Sequence, residues 1–461
     1  MRAHEAGALH GDIGSRGPTW LRTPEDVNAL VPALWPRTVA RGADGALTVA
    51  GLSVRDLAAE FGTAAYVLDE ADLRGRCRDF RSAFATEDVY YAGKSFLCRA
   101  VVRMIAEEGL YLDVCTGGEL ATALSAGMPP ERIGFHGNNK SVAELTRALD
   151  AGVGRIIVDS FIEIDRLTAL ARERGVRPGV LVRVTVGVEA HTHEFIATAH
   201  EDQKFGFSLA GGAALTAALK ILDEDELELR GLHSHIGSQI FDTSGFEVSA
   251  RRVLALQAQI RDARGVELPE LDLGGGFGIA YTTQDTPATP EDLATRLRRI
   301  VTAECAAESL AVPRLSIEPG RAIVGPAVFT LYEVGTVKGL DGIRTYVSVD
   351  GGMSDNIRTA LYGASYSATL ASRASTAEPL LARVVGKHCE SGDIVVKDEF
   401  LPADVQPGDL VAVPGTGAYC RSMASNYNHV PRPPVVAVRD GQARLIVRRE
   451  TEEDLLALDV G

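Results

Sequence analysis

Residues 88–94 read DVYYAGK, a short apolar run that ends in a lysine. Val89, Tyr90 and Tyr91 are typical of a buried β-strand, and a buried ammonium is costly unless it is paired or used in chemistry. The alternative is that the stem of Lys94 lies along apolar surface while its ammonium reaches water. The residues that surround this strand in the fold decide between the two interpretations.

Seven further runs of the same kind follow, with helix-like segments between them. Two of those segments carry helix start signals: Ser141 and Glu144 have the spacing of a capping box, and Thr289 precedes Pro290. Eight β/α units in about 230 residues match a closed barrel, so the sequence predicts an α/β protein with a (β/α)8 TIM-type barrel. An open doubly wound sheet is the alternative. The strand candidates are DVYYAGK, LYLDVCT, RIGFHGN, RIIVDS, GVLVRVTV, LRGLHSHIG, LPELDLGGG and PRLSIEPGR.

The pattern changes after the eighth run. AVFTLYEVGTVKGL and GDLVAVPGTGAY are β-rich runs within a region of Gly, Pro and Asp turns. We therefore predict three parts: an N-terminal segment, 1–58, that partly joins the β domain; the barrel, 59–320; and a mostly antiparallel β-sandwich or β-barrel domain, 321–461. The polar stretch 189–203, EAHTHEFIATAHEDQ, is predicted to form a loop over the barrel mouth.

Composition excludes several classes of function. The chain has 461 residues and a formal net charge of -15, which argues against a nucleic-acid or anionic membrane surface as partner. No apolar stretch reaches membrane-spanning length and the N-terminus lacks an apolar signal core, so we expect a cytoplasmic protein. Six cysteines are scattered without metal-binding spacing, which predicts reduced thiols and no metal site.

Unusual polar residues and glycines follow the ends of the predicted strands. In a barrel of this type the loops after the strands build the active site, so all of these residues share one face. Taken singly, each has a structural explanation, such as a satisfied core histidine or a turn glycine. Their common position favours function. These residues are Lys94, His136, Asn138, His233, His235, Gly237, Ser238, Gly274, Gly275, Gly276, Glu318 and Arg321.

The chemistry of this set suggests a phosphorylated cofactor. Successive glycines after a strand let backbone N–H groups approach a phosphate, and Arg321 and Ser238 add charge and a hydrogen bond. A carboxylate beside a phosphate is repulsive unless it faces a cation, and Glu318 suits a protonated pyridine nitrogen. Lys94 can form an imine from the opposite rim. These are the parts that pyridoxal 5'-phosphate requires.

Six motifs in order, YYAGKS, GLHSHIGSQ, LDLGGGFG, EPGR, CESGD and TGAY, resemble those of the fold type III (alanine-racemase-type) pyridoxal-phosphate decarboxylases. The resemblance runs from about residue 60 to 440 and is strongest to the members that convert meso-2,6-diaminopimelate into L-lysine and carbon dioxide. It implies that Lys94 carries the cofactor and that His235 stacks on its ring. It also implies that Cys389 reprotonates the product carbanion, supplied from the partner subunit of a homodimer.

The same resemblance implies the remaining roles. Glu318 pairs with the ring nitrogen, and the phosphate side is held by Ser238, Gly275, Gly276 and Arg321. The substrate-binding residues that it implies are Arg321, Arg358, Tyr362, Glu390 and Tyr419, and Tyr419 also reaches the cofactor.

Substrate choice depends on two of these positions. Relatives that act on ornithine or arginine usually have Asp after the cysteine, whereas this chain has Glu390. Arg358 suits a second carboxylate on the substrate, although it could also be a solvated helix residue. Two alternatives stay open: a related decarboxylase of ornithine, arginine, lysine or a specialised-pathway substrate, and a non-catalytic pyridoxal-phosphate carrier.

Overall fold

The computed structural model describes residues 17–187 and 203–461. The chain divides into two compact units, each of which is described by itself below. The β unit comprises Met1–Gly75, Ile279–Thr286 and Ile323–Gly461, and the barrel unit comprises Arg76–Gly278 and Pro287–Ala322.

The strands and helices are numbered in chain order. The strands are β1 (Ala40–Arg41), β2 (Leu47–Val49), β3 (Leu52–Ser53), β4 (Ala65–Asp69), β5 (Asp88–Ala92), β6 (Tyr111–Val114), β7 (Ile133–Phe135), β8 (Arg155–Val158), β9 (Gly179–Thr185), β10 (Phe207–Ser208), β11 (Glu228–Ser234), β12 (Glu270–Asp272), β13 (Arg314–Ile317), β14 (Val328–Leu340), β15 (Arg344–Val349), β16 (Thr369–Leu370), β17 (Pro379–Val385), β18 (Ile394–Pro402), β19 (Leu410–Pro414), β20 (Val435–Arg439) and β21 (Gln442–Val447). The helices are α1 (Val54–Phe61), α2 (Glu70–Ala83), α3 (Arg99–Glu107), α4 (Gly117–Ser125), α5 (Val142–Ala151), α6 (Phe161–Arg174), α7 (Ala213–Leu222), α8 (Ser244–Arg264), α9 (Pro290–Ala307), α10 (Arg321–Val324), α11 (Arg358–Tyr362) and α12 (Glu452–Leu456).

Within the described residues, eight parallel strands close into a barrel. The strand order is β9-β11-β12-β13-β5-β6-β7-β8, and β8 pairs with β9 to complete the circle. β13 pairs in parallel with β5, so the last barrel strand meets the first. Strands buried on both faces are expected to be almost continuously apolar, which is why the eight short runs could be recognised. The predicted (β/α)8 barrel is confirmed.

The helix start signals in the sequence form real caps. The Ser141 hydroxyl accepts from the Glu144 N–H, and the Glu144 carboxylate accepts from the Ser141 N–H, so α5 begins with a complete capping box. Thr289 accepts from the Asp292 N–H at the start of α9, where Pro290 occupies the first turn. Each cap satisfies backbone donors that the first helical turn leaves unpaired.

Charged residues at the starts of the barrel strands are paired with one another. The Arg155 guanidinium donates to Glu270 (Nε–Oε2 2.6 Å), which also accepts from Arg230 (2.8 Å). Arg314 donates to Asp88. The bottom of the barrel is therefore a polar layer whose charges neutralise each other, an arrangement that serves stability.

The β unit is built on a nine-stranded mixed sheet. Its order is β18-β17-β15-β14-β4-β20-β21, and β19 pairs with both β14 and β16. Only β15–β17 and β4–β20 are parallel among the pairings of this sheet in the described residues, so the predicted, mostly antiparallel second domain is confirmed. Trp35 from the N-terminal segment packs edge-on against Phe329 of β14, with ring centroids 6.0 Å apart.

The domain boundaries 1–58, 59–320 and 321–461 remain a prediction. The division into units groups residues up to Gly75 with the β unit, and β4 is the reason, because it pairs with β14 and β20. Of the predicted loop over 189–203, all but Gln203 lies outside the described residues. In the part of the chain that is described, no helix is both long and apolar enough to span a membrane.

Candidate active site

Lys94 follows β5 in a tight 3₁₀ turn, Gly93–Ser95. The buried Ser95 hydroxyl donates to the Ala92 carbonyl (2.7 Å) and contacts the Tyr91 hydroxyl (3.1 Å), which ties the turn to the strand. Lys94 itself is exposed and lines a cavity, and among the described residues its amine has no hydrogen bond or ion pair. The turn therefore presents a free amine at the mouth of the barrel.

Lys140 shows what a structural lysine looks like at the same end of the barrel. Its ammonium is buried and donates to the Glu163 carboxylate and to the carbonyls of Gly137 and Ile157, each at 2.7 Å. All three of its protons are thus used in hydrogen bonds. Of these two lysines, Lys94 is therefore the one whose amine is available for chemistry.

The cavity at the C-terminal ends of the strands has a volume of about 320 Å³. Lys94, His235 and Glu318 line it together, although up to 224 positions separate them in the sequence. Cys115 and Arg183 also contribute to its walls. A concave site that gathers polar groups on the strand-end face of a barrel is the expected place for catalysis.

The Glu318 carboxylate is held by two histidines. His136 Nε2 lies 2.9 Å from Glu318 Oε1, and His233 Nε2 lies 3.2 Å from the same oxygen. His136 Nε2 is also 3.4 Å from Asp113 Oδ1. All four residues are buried, so these contacts act in an environment that screens charge weakly.

Their environments separate the pKa values of these groups. Burial alone would raise the pKa of Glu318, but His136 and His233 hold it well below its usual range. Burial works against the charged form of His136, yet Glu318 and Asp113 raise its pKa to about 10. Burial lowers the pKa of His233 to about 4, and burial together with Glu318 raises that of Asp113 to about 7. At neutral pH, Glu318 is therefore an anion beside one imidazolium and one neutral imidazole.

The glycine triplet after β12 allows close backbone approach beside the cavity. A Cβ on Gly275 would lie 2.1 Å from the Glu318 carbonyl oxygen, and Gly276 has a φ of +98° with 2.3 Å between its ideal Cβ and the Gly237 carbonyl oxygen. The Gly275 N–H donates to Nδ1 of His235 (3.4 Å). Burial, Lys94 and Arg183 hold the pKa of His235 well below its usual value, so the ring is neutral.

Gly275→Ala is expected to lower the free energy of unfolding by about 1–3 kcal/mol, because the added methyl group overlaps a backbone atom that cannot rotate away. Urea unfolding of the purified variant measures this loss. Gly118→Ala is the matched control: its Cβ meets nothing closer than 3.8 Å in helix α4, and helix propensity favours alanine there. Equal stability of the two variants would contradict the close approach.

Ser238 and Arg321 lie together on the glycine-loop side. The Arg321 guanidinium donates to the Ser238 hydroxyl (Nη2–Oγ 2.7 Å), and Arg321 is buried at the start of α10. A buried cation, a hydroxyl and glycine backbone are groups that bind phosphate. A free amine, a neutral imidazole and an anionic carboxylate line the adjoining cavity. This donor set fits pyridoxal phosphate, which Lys94 would attach and Glu318 would face through the ring nitrogen.

The remaining predicted site residues lie in the β unit. Arg358, in α11, is buried and has its guanidinium 4.9 Å from the Tyr281 ring centroid, and it donates to the Tyr366 hydroxyl (2.5 Å). Its Nε has no hydrogen-bond partner among the described residues. Arg358 is thus a buried, pre-oriented cation rather than a solvated helix residue. Tyr362, which ends the same helix, is exposed.

Cys389 is exposed in the loop before β18, and its N–H donates to Asn428 Oδ1 (3.2 Å). The neighbouring Glu390 is half-buried and its carboxylate accepts from the Gly392 N–H (3.2 Å). Tyr419 is half-buried and has a φ of +64°.

The structure therefore gathers Lys94, His235 and Glu318 in one barrel cavity and joins Ser238 to Arg321. Sequence reasoning did not identify Asp113 and Arg183. Both are charged residues inside apolar strand runs, LYLDVCT and GVLVRVTV, which is the same signal that drew attention to Lys94.

Comparison with known proteins agrees with this site. A family model described as pyridoxal-dependent decarboxylase, pyridoxal binding domain, matches residues 70–325. Fold and site together define a fold type III decarboxylase whose cofactor is pyridoxal phosphate.

Similarity to individual proteins shows which decarboxylases within this class the chain is related to. Diaminopimelate decarboxylase of Mycobacterium bovis is 58% identical over 94% of this chain and 98% of its own length, and that of Mycobacterium leprae is 55% identical over the full length of both. A crystal structure of the M. jannaschii diaminopimelate decarboxylase with L-lysine has a TM-score of 0.87, with 32% identity over 93% of this chain and 99% of that chain. The chain belongs to the diaminopimelate decarboxylase family.

Proposed function

We propose that this chain decarboxylates meso-2,6-diaminopimelate to L-lysine and carbon dioxide, the last step of lysine biosynthesis, with pyridoxal phosphate as cofactor. The observation that carries the proposal is the 55% identity over the full length of a diaminopimelate decarboxylase, in a chain whose barrel holds Lys94, His235 and Glu318 around one cavity. The L-lysine bound in three of the similar crystal structures is the product of the proposed reaction.

The chain's own groups suit decarboxylation. In the reaction the bond between the α-carbon and a carboxylate breaks, carbon dioxide leaves, and a proton takes its place on that carbon. When bound, pyridoxal phosphate supplies the electron sink for this step. Glu318, ionised beside His136 and His233, favours a protonated ring nitrogen. A cationic or neutral side chain in its place would weaken that preference, as expected for a racemase.

Substrate recognition is proposed to involve Arg358 and Glu390. Arg358 is held between two tyrosine rings with Nε unpartnered among the described residues, so a bound carboxylate would gain a charge-assisted hydrogen bond at little entropic cost. Diaminopimelate carries a second carboxylate and ornithine does not. The family resemblance supports three further substrate-binding residues, which are Tyr362, Tyr419 and Arg321.

We also propose a homodimer in which Cys389 of one subunit serves the site of the other, acting in the cytoplasm. Cys389 is exposed while its backbone is fixed by Asn428, as a group that acts across an interface requires. The biosynthetic reaction and the bacterial relatives support the compartment.

A substrate panel tests the proposed reaction. Carbon dioxide release is measured with meso-diaminopimelate, ornithine, arginine and lysine in the presence of pyridoxal phosphate. Diaminopimelate is expected to react with a kcat/KM at least about a hundredfold above the others, because the buried cation at Arg358 is left unpaired by substrates without a second carboxylate. Release from ornithine and not from diaminopimelate would reject the assignment, and bound cofactor with no turnover would indicate a carrier.

A further inference from the structure

Two imidazoles converge on a single oxygen of Glu318. His136 follows β7 and His233 belongs to β11, which lie on different sides of the barrel, and their Nε2 atoms are 2.9 and 3.2 Å from Glu318 Oε1. The two rings are edge to face, with centroids 5.0 Å apart. Two close contacts from different strands restrict the orientation of the carboxylate, and Glu318 also lines the cavity.

The two histidines do not have the same charge. His136 lies between two carboxylates, with Asp113 Oδ1 3.4 Å from the same Nε2 atom that contacts Glu318. Among the described residues Glu318 is the only acid paired with His233, and His136 and Arg183 both disfavour its protonation. The buried pair therefore consists of an imidazolium, His136, and a neutral imidazole, His233, each with Nε2 within 3.2 Å of Glu318 Oε1.

Other ionisable groups face this cluster from every neighbouring strand end. Lys94 after β5, Arg183 in β9 and His235 after β11 bring positive charge or a neutral ring, and Asp272 in β12 adds an acid. Burial together with Glu318 and Asp113 holds the pKa of Asp272 well above its usual range, which disfavours its charged form. The imidazolium of His136 is thus the cation in direct contact with Glu318.

We propose that His136 is a positioning residue for the decarboxylation: wedged between Glu318 and Asp113, its imidazolium fixes the orientation and the negative charge of Glu318 and thereby keeps the cofactor ring nitrogen protonated. This inference rests on the proposed function for its catalytic consequence. His233 is the second, neutral contact and supports orientation alone. Outer partners of this kind, which orient the group that touches a cofactor, commonly change activity by about 10–100-fold when removed.

The test uses holoenzyme reconstituted with pyridoxal phosphate labelled with ¹⁵N in the ring, because the nitrogen chemical shift reports its protonation directly. The wild-type protein is expected to show the protonated shift at neutral pH. His136→Ala should move it toward the unprotonated value and lower kcat by about 10–100-fold with little change in KM. His136→Gln can place an amide donor near Nε2 without charge, and an intermediate shift is expected.

His429→Gln, at an exposed histidine of the β unit, is the control and should keep the wild-type nitrogen shift. The proposal is overturned if the wild-type ring nitrogen is unprotonated, or if the glutamine variant has the wild-type shift and kcat. If the alanine variant does not fold, the nitrogen shift and the kcat of the glutamine variant test the proposal alone. A different result would show that the proposed function is wrong while the role of His136 is right. The ring nitrogen would be protonated in a manner that depends on His136, but the protein would not decarboxylate diaminopimelate.

Discussion

Replacing Lys94 with alanine is expected to abolish the near-visible absorbance of the attached cofactor and to reduce kcat by roughly 10³-fold or more, since the amine that forms the imine with the cofactor is then lost. Lys140, at the same end of the barrel, is committed to Glu163 and two carbonyls, and the Lys204 ammonium lies over the Phe205 ring, 4.9 Å from its centroid. An absorbance spectrum of the purified variant with added pyridoxal phosphate measures the first effect, and carbon dioxide release measures the second.

Chemical trapping makes this prediction specific to one residue. Reduction of the wild-type holoenzyme with borohydride followed by peptide mapping should place the cofactor on the peptide that contains Lys94. Lys220→Ala is the matched control, because Lys220 pairs with Asp165 on the outer surface (2.9 Å) and should leave both spectrum and rate unchanged. An unaltered spectrum in the Lys94 variant would show that another residue anchors the cofactor.

Lys94 shows how much of the barrel and its site can be predicted from the sequence. Barrel strands are buried on both faces, so their apolar runs stand out, and all eight could be recognised along with their polar ends. The sequence placed Lys94 at the end of its strand, whereas it lies two residues beyond β5 in a 3₁₀ turn. That turn is held by Ser95, and a single local side-chain contact of this kind leaves no periodic signal.

The pairing partners of the strands could not be predicted from the sequence. The run AYVLD of β4 has the same apolar character as the barrel strands, yet it pairs with β14 and β20 in the β unit. An apolar run predicts that a strand is buried, but it does not predict which strand pairs with it, because pairing depends on the remainder of the fold.

The contact between His136 and Glu318 likewise leaves no sign in the sequence, since the two residues are 182 positions apart. It arises because parallel strands deliver their ends to one face. The burial of Arg358 could not be predicted either. The sequence SDNIRTALYG is compatible with a solvated helix residue and with a cation enclosed by Tyr281 and Tyr366.

Cys389→Ala is expected to lower kcat by about 10²–10⁴-fold, the usual contribution of a positioned proton donor. KM and the cofactor absorbance should change little, because the thiol is proposed to act after the carboxylate has left. The side chain is exposed, while Asn428 Oδ1 accepts from the Cys389 N–H (3.2 Å) and lies 3.2 Å from His388 Nδ1. Asp393 accepts from the His388 N–H (2.8 Å). The loop is thus fixed and the thiol is accessible, which is what transfer of a proton to an external substrate requires.

Mixed dimers test whether this thiol serves the partner's site. Lys94→Ala and Cys389→Ala chains, each nearly inactive alone, should regain roughly a quarter of wild-type activity when mixed equally, because half of the randomly formed dimers contain one site with both groups intact. Differently tagged chains and native mass spectrometry verify that hybrids form. Cys305→Ala removes a buried thiol from α9 and should be fully active alone. Mixed equally with Lys94→Ala chains it should give about half of wild-type activity, because half of the sites keep Lys94 and every chain keeps Cys389. Verified hybrids without recovered activity would mean that Lys94 and Cys389 act within one subunit, or that Cys389 is not the proton donor.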